Sequence, residues 1–99
     1  MEIRIQSIHF DATVALEKFI QKKVAKLEQY YDDILEAEVI LKVIKPETVS
    51  NKEALVKIKV SGNELFASKI SDTFEESVDV SVEALQKQLL KFKEKNRAK

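Results

Sequence analysis

The stretch Ala54-Leu55-Val56-Lys57-Ile58-Lys59-Val60-Ser61-Gly62-Asn63-Glu64-Leu65-Phe66-Ala67-Ser68-Lys69 decides how this chain is read. Ala54, Val56, Ile58 and Val60 alternate with Leu55, Lys57 and Lys59, the period of two of a strand with one buried face. Gly62 is the sole glycine, and Gly and Asn tolerate the positive φ that a tight hairpin demands. Ser61-Gly62-Asn63-Glu64 therefore turns the chain straight back into another strand through Leu65-Phe66-Ala67-Ser68-Lys69.

Outward from this hairpin, Ala37, Val39, Leu41 and Val43 share a face of a strand over 37–45. Pro46, the sole proline, removes a ladder donor and stops it, and the polar segment KPETVSNKE is a loop. Nearer the start, Glu2 to Ile8 sets Ile3 and Ile5 against Glu2, Arg4 and Gln6, which reads as a short half-buried strand. Asp11 or Thr13 caps the helix that follows, in which Leu16, Phe19, Ile20, Val24, Leu27 and Tyr31 recur at helical spacing. Beyond the hairpin, Asp72 or Thr73 caps a final helix with Phe74, Val78, Val82, Leu85, Leu89 and Phe92 on one face. Its acids Glu75, Glu76 and Asp79 stand near the positive end of the helix dipole and its lysines near the negative end. The order β-α-β-β-β-α predicts an α+β fold, a four-stranded sheet with two helices packed on one face.

Size and composition limit the function classes. Ninety-nine residues with 44% hydrophobic content supply one core and not two, so residues 1–99 read as a single domain, with a basic tail from about 93 to 99 that frays. The absence of cysteine excludes a disulfide framework and thiolate metal sites and fits a reducing cytoplasm. MEIRIQSIHF lacks a basic segment followed by an apolar run, and no apolar stretch approaches the roughly 20 residues that span a bilayer, so neither secretion nor a membrane partner is expected.

An inventory of reactive groups argues against catalysis. One histidine, no cysteine and one glycine allow no His-paired nucleophile, no glycine loop around a phosphate and no histidine-rich metal cluster. No enzyme activity, cofactor, metal or small-molecule substrate is expected. Asp32, Asp33, Glu36 and Glu38 form an acidic cluster where helix gives way to strand, without EF-hand spacing, and read as a solvated loop. His9, at the exit of the first strand, reads as structural or merely exposed.

The net charge is zero but unevenly spread: from Ala84 onward five lysines and one arginine face a single acid, Glu94. Lys18, Lys22 and Lys26 recur every four residues on the first helix, and Lys87, Lys91 and Lys95 do so on the last. Solubility alone accounts for one such stripe; two, with Lys93, Arg97 and Lys99 added, fit a basic binding surface equally well. Counting at about 100° per residue places Lys23 among Leu16, Phe19 and Leu27, where its ammonium must snorkel to the domain edge. Patterning thus reaches a basic α+β module that acts by binding.

Val24-Ala25-Lys26-Leu27-Glu28-Gln29-Tyr30-Tyr31-Asp32, then Val39-Ile40-Leu41-Lys42-Val43, and finally Gln88-Leu89 followed by Lys91 and Lys93, resemble the ribosome hibernation-promoting factor and ribosome-associated inhibitor family, also called the sigma-54 modulation protein family. The resemblance runs from Met1 to about Lys95 and is to the family's short form, which lacks the C-terminal domain that joins two ribosomes. It implies a cytoplasmic protein, monomeric off the ribosome, that binds the small ribosomal subunit and its rRNA in the mRNA/tRNA channel and inhibits translation in stationary phase or stress. It also implies that Lys23, Lys26, Lys87, Lys91 and Lys93 grip ribosomal RNA; with the neighbouring stripe members the candidate set is Lys22, Lys23, Lys26, Lys87, Lys91, Lys93 and Lys95. Ala84 and Leu90 stand where the family has basic or polar residues, which predicts a weaker or shifted grip. Two alternatives act by binding only: a transcription modulator, and a double-stranded RNA module, the latter disfavoured by the acidic start of the last helix at Glu75 and Glu76.

Overall fold

The structure is a computed structural model that describes residues 1–44 and 50–97, the side chains of residues 96 and 97 excepted. Its elements are β1 (Glu2–Ile8), α1 (Val14–Ala25), a 3-10 turn (Lys26–Gln29), β2 (Ile34–Val43), β3 (Lys52–Val60), β4 (Asn63–Ser71) and α2 (Phe74–Arg97). The four strands lie in sequence order. β1 runs parallel to β2, as a strand returning through a helical crossover must, while β2 with β3 and β3 with β4 are antiparallel.

The alternation read in the hairpin is the alternation of burial. Ala54, Val56, Ile58 and Val60 of β3 and Ala37, Val39 and Leu41 of β2 are buried against the helices. α1 contributes Leu16, Ile20 and Val24, the 3-10 turn Leu27, and α2 contributes Phe74, Val78, Val82, Leu85 and Leu89 to the same core. Gly62 has φ +76° in the turn that opposes Val60 to Asn63, and Asn63 Oδ1 accepts the Glu64 N–H at 2.8 Å.

Both helix starts left open by the sequence resolve to threonine. Thr13 Oγ1 accepts the Leu16 N–H at 3.1 Å and Thr73 Oγ1 accepts the Glu76 N–H at 3.1 Å. Asp72 instead accepts a hydrogen bond from Ser50 Oγ at 2.9 Å. α1 gives way to the 3-10 turn at Lys26, and the Tyr30 and Tyr31 N–H groups converge on the Leu27 carbonyl at 3.0 and 3.3 Å, which tightens the exit toward β2.

The acidic cluster is not one solvated loop. Asp32 and Asp33 are exposed in the turn, but β2 begins at Ile34, which puts Glu36 and Glu38 in a strand, opposite Lys59 and Lys57 of β3 on the face of the sheet away from the helices. A bulge between Ile34 and Glu36 makes the early start fit: it leaves Leu35 57% exposed and keeps both Ile34 and Ala37 buried. His9 is exposed at φ +67°, a left-handed conformation that turns the chain out of β1. Pro46 lies outside the described residues, and β2 ends at Val43.

Candidate nucleic-acid interface

α2 divides along its length. Glu75, Glu76, Asp79 and Glu83 occupy its first half and Lys87, Lys91, Lys93 and Lys95 its second, the arrangement its dipole favours. Lys87, Lys91 and Lys95 are exposed and one turn apart, so they form a continuous cationic flank, with Lys93 roughly 160–200° round the helix from Lys91 and Lys95. Leu90 is exposed on the same half and Ala84 half-buried.

The lysine stripe of the first helix meets a different setting. Lys22 and Lys26 are exposed, Lys22 on α1 and Lys26 in the 3-10 turn. Lys23 does snorkel: its side chain is 33% exposed, and its Nζ stands 5.7 Å from the Phe19 ring centroid and 3.0 Å from Asp79 Oδ1 of α2. Lys23 and Lys26 therefore face a groove of about 370 Å³ between the helices, whose opposite wall carries Asp79, Glu83 and Gln86.

The stripe read as Lys87, Lys91 and Lys95 flanks another concavity. A cleft of about 510 Å³ lies between α2 and the β3–β4 turn, lined by Ser61, Gly62, Asn63, Leu65, Gln88, Lys91, Phe92 and Lys95. Gln88 reaches from α2 to the edge of the sheet, where its Nε2 donates to the Phe66 carbonyl at 2.9 Å. Phe92 is held from the core side by Tyr31, ring centroids 5.4 Å apart at 75°.

The seven candidate lysines thus do not form one patch. Lys23 and Lys26 share their groove with carboxylates, whereas Lys91 and Lys95 border a cleft with no acid in its lining. Sequence reasoning missed Asp79 as the partner of Lys23, and it assigned Phe92 only to the core and Gln88 only to the resemblance. Nothing local marks these roles, because each depends on how α2 lies across α1 and β4. Among the described residues no group of three or more His, Cys, Asp or Glu is placed to hold a metal ion, and no helix is long and apolar enough to cross a membrane.

Residues 3–97 match the profile of the family described as sigma 54 modulation protein / S30EA ribosomal protein. The chain is 35% identical over 95 residues to the ribosome hibernation promoting factor of Escherichia coli K12, covering 96% of each chain. It is 30% identical to the factor of the same name from Azotobacter vinelandii, over 96% of this chain and 85% of that one. Among solved structures it superposes on a ribosomal subunit interface protein from Coxiella burnetii with a TM-score of 0.84 at 26% identity, over 94% of this chain and 98% of that one. The N-terminal domain of Thermus thermophilus Protein Y shares the fold, with a TM-score of 0.81 at 22% identity over 93% of this chain and 99% of that one.

Proposed function

The chain belongs to the sigma 54 modulation protein / S30EA ribosomal protein family, and from that premise we propose that it is a ribosome hibernation factor of the cytoplasm. It binds the small ribosomal subunit at the mRNA/tRNA channel and holds ribosomes idle in stationary phase or stress. It acts as one unit over residues 1–99, by occlusion and without chemistry. The names of its relatives support the ribosome as partner.

The observation that carries the reading is the exposed flank of Lys87, Lys91 and Lys95 on α2, supplemented by Lys93 on the same half and by Lys22, Lys23 and Lys26 near the end of the other helix. Lysine on phosphate releases counterions and gives affinity without reading sequence, which suits a protein selected by the shape of an RNA-lined channel. The acidic first half of α2 disfavours simple insertion into a uniform polyanion and orients the molecule, basic half inward.

Cosedimentation with purified small subunits tests it. With about five phosphate contacts, a fourfold rise in salt weakens binding roughly 100- to 500-fold, and the double variant Lys87→Glu, Lys91→Glu leaves the protein in the supernatant. Binding that ignored both changes would sink the reading.

A further inference from the structure

We propose that the cleft between α2 and the β3–β4 turn is a subsite for a single unpaired nucleotide, the base lying on Phe92 and Leu65 and the flanking phosphates meeting Lys91 and Lys95. The proposal rests on the RNA-binding reading and adds to it a site for a base, which lysine stripes do not provide.

Three observations select this cleft. Its apolar residues Leu65 and Phe92 are half-buried, so they line a concavity and still present surface, and the edge contact with Tyr31 fixes the Phe92 ring before any ligand arrives. An aromatic ring held in place accepts any base on its face, because every base has a π surface. Polar groups with spare capacity border the same space. Gln88 spends one N–H on the Phe66 carbonyl, which orients the amide and leaves Oε1 as an acceptor; Asn63 uses Oδ1 on the Glu64 N–H and keeps its NH₂ as a donor. A donor and an acceptor together match the edge of a base.

Charge then separates this cleft from its counterpart. The groove between the helices carries Lys23 and Lys26 but also Asp79 and Glu83, and Lys23 is paired with Asp79. The cleft beside the turn has Lys91 and Lys95 and no carboxylate in its lining, Glu64 and Glu94 lying outside it, so the charges nearest the bound base favour a phosphodiester. The turn borders one side with Gly62, where even an added Cβ would meet nothing within 4 Å, so the backbone does not crowd this side of the cleft. A cleft of about 510 Å³ is large enough for one nucleotide.

The test compares binding of the whole protein to hexa-adenylate and to a hexamer of the same phosphates with no bases, by fluorescence anisotropy of a 5′-labelled strand. Hexa-adenylate binds about tenfold more tightly. Phe92→Leu removes that preference and leaves affinity for the abasic strand unchanged, and Lys91→Glu with Lys95→Glu weakens both. Gln88→Ala, at a side chain that spans from α2 to β4 without entering the apolar core, reduces the preference independently of any folding defect in the Phe92 variant. Equal affinity of the wild-type protein for the two strands, or a base preference that survives both Phe92→Leu and Gln88→Ala, overturns the subsite. Cosedimentation of wild-type protein with small subunits, run in parallel, separates the two ideas: subunit binding without base preference sinks only the cleft, and base preference without subunit binding sinks only the ribosomal reading.

Discussion

Lys23 Nζ lies 3.0 Å from Asp79 Oδ1, so the cation that helical counting puts near the apolar face of α1 is held by a carboxylate of the neighbouring helix. The pair joins α1 to α2 at the mouth of the inter-helix groove, with Lys23 Nζ 5.7 Å from the Phe19 ring centroid. Its partners are 33% and 55% exposed, so water screens the attraction and the pair contributes about 0.2–1 kcal/mol.

Asp79→Asn is therefore expected to lower stability by less than about 1 kcal/mol while freeing Lys23 for phosphate. Small-subunit affinity rises a few-fold at low salt and the gain disappears at high salt. Thermal melting and cosedimentation at two salt concentrations check both halves.

The lysines of α2 should behave in the opposite way. Lys87→Ala and Lys91→Ala remove exposed charges that touch nothing in the core, so each changes stability by no more than about 0.5 kcal/mol. Each lowers the slope of log affinity against log salt by about 0.7–0.9. Salt titrations of ribosome binding, read against urea denaturation, separate the two effects.

Ser71 and Ser77 pin the start of α2 to the sheet. Ser71 Oγ lies 2.9 Å from the Thr73 carbonyl, Ser77 Oγ lies 2.6 Å from the Lys52 carbonyl, and the two hydroxyls are 2.6 Å apart. Two protons serve three contacts, so one contact is always without a proton. Both serines are buried, and Ser77→Ala removes the contacts to Ser71 Oγ and the Lys52 carbonyl while Ser71 keeps its donation to the Thr73 carbonyl, at a cost of about 0.5–1.5 kcal/mol. A urea midpoint lowered without a change in m-value is the expected reading.

Gly62→Ala isolates backbone strain. The added Cβ meets nothing within 4 Å, so any loss comes from φ +76° alone and amounts to about 1–2 kcal/mol. Gly62→Asn recovers part of it, because Asn tolerates the left-handed region. Denaturation midpoints of the two variants give the comparison.

Much of the fold is legible in the chain, for local reasons. The 54–60 alternation, the glycine turn and the apolar stripes of both helices are periodicities that each segment satisfies by itself, and they returned the right elements and the right faces. Where a long-range term entered, the reading slipped. The start of β2 depends on a bulge that lets Ile34 reach the core, so Glu36 and Glu38 looked like loop residues when they belong to the strand. The choice between Asp11 and Thr13 depended on which side chain the helix presents its N–H groups to.

The same division holds for the site. Sequence by itself determined the number and spacing of the basic residues, the acidic and basic halves of α2, and the resemblance that the family match bears out. Only the tertiary structure decided which cations have a carboxylate facing them: Asp79 lies 56 residues beyond Lys23 in the chain yet meets it in space, whereas Lys91 and Lys95 border a cleft with no acid in its lining. Periodicity sorts residues onto the faces of one element. Which face of another element lies opposite is set by packing the shared core, and that juxtaposition fixes the electrostatics of every groove on the surface.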